Sequence, residues 1–119
     1  MARIMVVEDE LDTADLVRVC LDKMGHETVA TATTGEEAIS LAIAHRPDLV
    51  LMDIALPDGM NGVDAAFALR EALDTPIVFI TGHIYQTHLY RLKSLGKYEI
   101  MIKPLDFKKL RDTVAMALQ

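Results

Sequence analysis

The sequence predicts an α/β fold: one five-stranded parallel sheet, doubly wound with helices on both faces, built as (βα)5. Three observations predict it. Short, nearly unbroken apolar runs recur along the chain, as strands covered on both faces require. Segments of helical period separate them. Glycine or proline punctuates the junctions, and such alternation favours right-handed crossovers within a parallel sheet.

The elements follow in order. Ile4-Met5-Val6-Val7 reads as the first buried strand. Val17, Cys20, Leu21 and Met24 follow the i, i+3, i+4, i+7 pattern of a helix, and Gly25 is a natural stop. Glu27 to Thr31 is more polar and reads as an edge strand. Thr34-Gly35-Glu36-Glu37 has capping-box spacing and opens a second helix, which Arg46-Pro47 ends. Leu49-Val50-Leu51-Met52 is the third strand and Val63 to Leu73 the third helix. Ile77-Val78-Phe79-Ile80 is the fourth strand; Ile84 to Leu95 reads as its helix, stopped by Gly96. Ile100-Met101-Ile102 is the last strand, and Phe107, Leu110, Val114 and Ala117 mark the face of the last helix.

The 119 residues are the size of one domain, read as a single unit over 1–119. At 51% apolar content the chain can build one core. A net charge of −6 with scattered basic residues argues against direct nucleic-acid binding and against a polybasic membrane anchor. Cys20 is the sole cysteine, which rules out an intrachain disulfide and fits a cytoplasmic location. No apolar stretch approaches the ~20 residues of a membrane span, and the N-terminus lacks a signal-peptide profile.

In open α/β sheets, ligands bind outside the carboxyl ends of the strands. There the sequence gathers Glu8-Asp9-Glu10 after the first strand, Asp53 after the third, Thr81 at the fourth and Lys103-Pro104 after the fifth. Each alone has a structural reading, as a helix cap, a turn or a solvated lysine. Together they describe a site. Crowded carboxylates repel unless a cation binds among them, and hard oxygen donors select Mg²⁺ or a similar ion. Lys103 offers a positive charge and Thr81 a hydroxyl donor, both suited to a phosphoryl group. An aspartate carboxylate is a competent nucleophile toward phosphorus.

Val6-Val7-Glu8-Asp9-Glu10, Met52-Asp53-Ile54-Ala55-Leu56-Pro57, Ile80-Thr81-Gly82 and Ile102-Lys103-Pro104-Leu105 resemble, in order, the motifs of response-regulator receiver domains of bacterial two-component systems. The resemblance covers the whole chain and implies the flavodoxin-like strand order 2-1-3-4-5. It implies Asp53 as phosphoacceptor, and Mg²⁺ held by Asp9, Asp53 and the backbone carbonyl of Ala55, with Glu8 assisting. Thr81 and Lys103 would contact the phosphoryl group, and the Lys103-Pro104 peptide would be cis. The donor would be a phosphohistidine on a sensor histidine kinase or a histidine phosphotransfer protein. The product would be a switch or a relay, not an enzyme, working as a monomer or a phosphorylation-linked dimer.

Two departures from the family pattern stand out. Gly62 lies nine residues beyond Asp53, where the family has eight; this reads as one extra loop residue, accommodated by Gly59. Ile100 occupies the position of the family's switch aromatic, with Tyr98 two residues earlier. His83 stands two residues after Thr81, a position that in this family influences phosphoryl lifetime. Tyr85, Tyr90 and Tyr98 fall near the face often used for partners. Two other readings remain. A small aspartyl-phosphate phosphohydrolase usually carries a second aspartate two residues after its nucleophile, where this chain has Ala55. A degenerate receiver acting only as a binding module is disfavoured by the complete set Asp9, Asp53, Thr81 and Lys103. The chain stops where the fifth helix should end, so either a stand-alone regulator or a receiver of a longer protein is expected.

Overall fold

The computed structural model describes residues 1–119. Its elements are β1 (Arg3–Val7), α1 (Leu11–Lys23), β2 (Glu27–Ala32), α2 (Gly35–His45), β3 (Leu49–Met52), α3 (Gly62–Ala72), β4 (Ile77–Thr81), α4 (Gln86–Leu92), β5 (Tyr98–Ile102) and α5 (Phe107–Ala117). All strand pairs are parallel, in the order β2-β1-β3-β4-β5. The polar second strand is indeed at an edge, and β3 is central.

Period-2 side-chain alternation divides the apolar runs between two cores. Met5, Val7, Val50, Met52, Ile77 and Phe79 pack toward α2 and α3, with Leu92 and Leu95 closing that layer. Ile4, Val6, Leu49, Leu51, Val78 and Ile80 pack on the opposite face with Val17 and Leu21 of α1 and Leu110 and Val114 of α5. Strands β1, β3 and β4 therefore each feed both layers, which is why these runs show no apolar–polar alternation. No helix is long and apolar enough to cross a membrane.

The helix ends show where local chemistry agreed with the sequence pattern and where it did not. Gly25 and Gly96 both have positive φ, +83° and +70°, as helix-terminating glycines do. Thr34 caps α2 by accepting from the Glu37 N–H. The return bond of the expected capping box is displaced by one residue: the Glu37 carboxylate accepts from the Thr33 N–H at 2.7 Å, not from Thr34. The full capping box belongs to α3, where Asn61 and Asp64 bond each other's backbone N–H. The fourth helix is shorter than its pattern predicted. Tyr85 is extended and offers no side-chain cap, and the last turn breaks into residues 93–95, so only Gln86–Leu92 is helical. Conversely β5 begins two residues earlier than its apolar run, because Tyr98 and Glu99 already pair with Ile77 and Val78.

Candidate functional site

Parallel pairing brings the strand ends level. Val7 lies opposite Met52 and Thr81 opposite Ile102, so the next residues, Glu8, Asp53 and Lys103, emerge together at the sheet's carboxyl edge. Their backbones continue the ladder: Asp53 N donates to Val7 O at 3.0 Å, and Lys103 N to Thr81 O at 2.8 Å. The side chains are held from beneath by buried backbone and converge above it.

Lys103 is the centre of the arrangement. Its Nζ donates to Glu8 Oε1 at 3.0 Å and to Asp53 Oδ2 at 3.1 Å, with Glu10 Oε1 at 3.8 Å. The Glu8 and Asp53 side chains are each only 5% exposed, so this is an ion cluster largely removed from water. Carboxylate oxygens of Glu8, Asp9 and Asp53 all lie within 4.8 Å of one another. Asp9 is exposed and has no cationic partner of its own.

The electrostatics follow from burial. Desolvation pushes the Glu8 carboxyl up to about 7, with the nearby Asp53 charge adding to the rise. Hydrogen bonds from Lys103 and from the Glu10 N–H work against it without overcoming it. Burial alone would lower the Lys103 ammonium, but its hydrogen bonds to Glu8 and Asp53, together with their charges, leave it raised. A shared lysine thus relieves the crowding of the acids in part, and partial protonation of Glu8 relieves more.

The donor set fits a hard divalent cation. Three carboxylates within reach of one another provide charge and oxygen ligands. The Ala55 N–H donates to Asp53 Oδ1 at 3.1 Å, which folds residues 53–55 back over the site. The Ala55 carbonyl accepts no hydrogen bond within the chain and remains available as a neutral oxygen ligand.

Thr81 is buried at the rim, and its hydroxyl donates to the His83 carbonyl at 3.1 Å. That link had no signal in the sequence, because a backbone acceptor carries no residue identity. The His83 ring is exposed and packs edge-on against Tyr85, with ring centres 4.5 Å apart. Ile100 and Tyr98 are half-buried and lie against the α2–α3 core; Tyr98 meets Phe79 edge-on at the start of β5, far along the strand from Lys103. Tyr85 and Tyr90 are exposed, at 60% and 75%. The Lys103-Pro104 peptide is cis. Glu10, given no role from the sequence, borders the lysine.

Gly62 closes the loop after Asp53. Its N–H donates to Ile54 O at 2.7 Å, and a Cβ there would overlap the Asp53 carbonyl and stand 2.8 Å from Ile54 Cα. Two consecutive residues of this loop are left-handed, Asp58 (φ 68°) and Gly59 (φ 84°).

Known proteins share both sequence and shape. The family described as Response regulator receiver domain matches residues 4–115. Protein PilH of Pseudomonas aeruginosa is 33% identical, over 99% of this chain and 98% of its own. Transcriptional regulatory protein PdtaR of Mycobacterium tuberculosis is 32% identical over 98% of this chain, which spans only 56% of that relative. Among solved structures, the receiver domain of a modulated diguanylate cyclase from Desulfovibrio desulfuricans superposes with a TM-score of 0.90 at 29% identity, covering 99% and 94% of the two chains. Chemotaxis protein CheY4 of Vibrio cholerae superposes with a TM-score of 0.88 at 27% identity, covering 99% of both. By sequence match, strand order and shape, the chain belongs to the receiver domains of two-component response regulators.

Proposed function

We propose that residues 1–119 act as one receiver unit in which Asp53 accepts a phosphoryl group from a phosphohistidine donor. The observation that carries this reading is the placement of a 5%-exposed aspartate at the end of the central strand, 3.1 Å from a lysine and grouped with two further acids. An Asp53 carboxylate oxygen attacks phosphorus, the P–N bond to the donor imidazole breaks, and the imidazole recovers its proton. The new bond is an acyl phosphate. Glu8, Asp9, Asp53 and the Ala55 carbonyl would hold Mg²⁺, which when bound supplies positive charge to offset the carboxylates and the phosphoryl oxygens. Lys103 is tethered to hold one phosphoryl oxygen, and the Thr81 hydroxyl lies ready to donate to another. Asp53 is a regulatory acceptor in this reading, not a turnover catalyst. The donor would be a cytoplasmic sensor histidine kinase or a histidine phosphotransfer protein, and the output a protein partner or a relay.

The test is incubation with acetyl phosphate and Mg²⁺, followed by intact-mass measurement and peptide mapping. One phosphoryl group on Asp53, absent from Asp53→Asn, supports the reading. Equal labelling of that variant would sink it, and steady release of phosphate from small esters would revive the phosphohydrolase.

A further inference from the structure

The loop between β3 and α3 contains two dipeptides, Asp58-Gly59 and Asn61-Gly62, with the same latent chemistry. In each, the glycine nitrogen has no neighbouring side chain to hinder its attack on the preceding side-chain carbonyl. Attack closes a five-membered succinimide. In an unstructured chain the amide reacts faster than the acid, because ammonia is lost more readily than water from a side chain that is mostly ionised.

The fold treats the two sites in opposite ways. Asn61 is the N-cap of α3: its side-chain oxygen accepts from the Asp64 N–H at 2.9 Å, and its own N–H donates to Asp64 Oδ2 at 3.3 Å. The would-be nucleophile, Gly62 N, is tied to Ile54 O at 2.7 Å and pressed against the Asp53 backbone. Attack at Asn61 requires breaking the cap and unwinding the first turn of α3. Asp58 and Gly59 have neither restraint. Both are exposed, the Asp58 carboxylate takes part in no ion pair, and the Gly59 N–H donates no hydrogen bond. Nothing lies within 4 Å of the Gly59 Cβ position, so the loop has room to turn.

The geometry points to Asp58 as a site of spontaneous backbone isomerisation, with the fold reversing the intrinsic order of the two dipeptides. The Gly59 nitrogen bonds to Asp58 Cγ, the C–OH bond breaks and one water leaves. Hydrolysis of the succinimide at its other carbonyl consumes one water and yields an isoaspartyl linkage of unchanged mass. The backbone gains one carbon, in the loop that starts at Asp53. That this alters the surface met by a phosphoryl donor rests on the proposed function; the isomerisation does not.

The experiment is to age the full chain at neutral pH with mild warming, native and in guanidinium, and to map peptides. Electron-transfer fragmentation marks isoaspartate at 58, and a gain of one mass unit marks deamidation at 61. The native chain is expected to convert at Asp58 with Asn61 slower by on the order of tenfold, since its reaction waits on local opening. In guanidinium Asn61 should lead. Asp58→Glu, whose ring would have six members, should show no conversion at 58 while its circular dichroism is unchanged. Native Asn61 reacting as fast as Asp58, or a native Asp58 that stays unconverted while the unfolded chain reacts there, would overturn the proposal. Acetyl-phosphate labelling of the unaged protein reports separately on Asp53.

Discussion

Gly62 stands against the backbone of Asp53 so closely that a single added carbon would overlap the Asp53 carbonyl. The phosphoacceptor's main chain and the start of α3 are therefore one packed unit, and the loop between them can lengthen only by bulging outward.

Gly62→Ala is expected to destabilise the chain by about 3 kcal/mol, because the clash is with backbone and cannot be relieved by a rotamer change. Gly59→Ala meets open space and carries only the left-handed penalty of about 1 kcal/mol. Urea unfolding of both variants separates the cases. Similar losses would show that the contact at Gly62 is relieved by a shift of the loop.

The pH dependence of stability carries the mark of Glu8. Its folded value of about 7 lies above the ordinary 4.5, so the folded chain binds more protons between those values. Its contribution is complete below the lower value and is lost as pH rises through the upper one. Without metal, the stability of wild type relative to Glu8→Gln should fall across that window, and saturating Mg²⁺ should remove the slope. Parallel curves for the two proteins without metal would contradict this account.

Asp9 is the acid without a cationic partner, and its loss should be felt by metal more than by the fold. Asp9→Ala should weaken Mg²⁺ binding by at least on the order of tenfold. Its metal-free stability should equal or exceed that of wild type, since one like charge has gone. Calorimetric titration and urea unfolding read the two effects. Unchanged affinity would remove Asp9 from the ligand set.

The switch should report at the loop after β4. The Thr81 hydroxyl has one proton, and it is given to the His83 carbonyl at 3.1 Å. Donating it to a phosphoryl oxygen releases that carbonyl and the turn it holds. Ile100 is β-branched, stiff at χ1 and has no hydroxyl to expose or bury, so β5 has little to add. Backbone chemical shifts with and without a phosphoryl mimic at Asp53 should change most at residues 81–90. Equal or larger changes centred on Ile100 and Tyr98 would refute the idea.

What could be read from the sequence was what depends on residue type at short range. Buried parallel strands announce themselves as apolar runs, and the ends of those runs put Glu8, Asp53, Thr81 and Lys103 at one edge of the sheet. Gly62 was legible as a displaced glycine, though not the backbone it abuts. Contacts made between helices were not legible. Arg91 pairs with Asp64 at 2.8 Å and lies over the Phe67 ring, joining α4 to α3. Arg70 holds the Leu95, Gly96 and Thr75 carbonyls at 2.8, 2.6 and 3.0 Å. Arg91 has no acidic residue at helical spacing, and Arg70, with Asp74 at i+4, gives its hydrogen bonds to carbonyls instead. The length of α4 is not legible for a related reason: seven helical residues with no side-chain cap depend on tertiary anchors at Leu92 and Arg91, which periodicity does not record.

The central strand β3 has neighbours on both sides and lies beneath two cores, whereas six residues after it the chain runs through open solvent. Amide protons at Val50 to Met52 should exchange only with global unfolding, and those at Asp58 and Gly59 almost at the rate of a free peptide. The proposed phosphoryl acceptor stands between these two segments. A bond made there is anchored to the buried central strand and borders an exposed loop. The chemistry can then be held in fixed register while the surface around it is free to be remodelled by whatever docks.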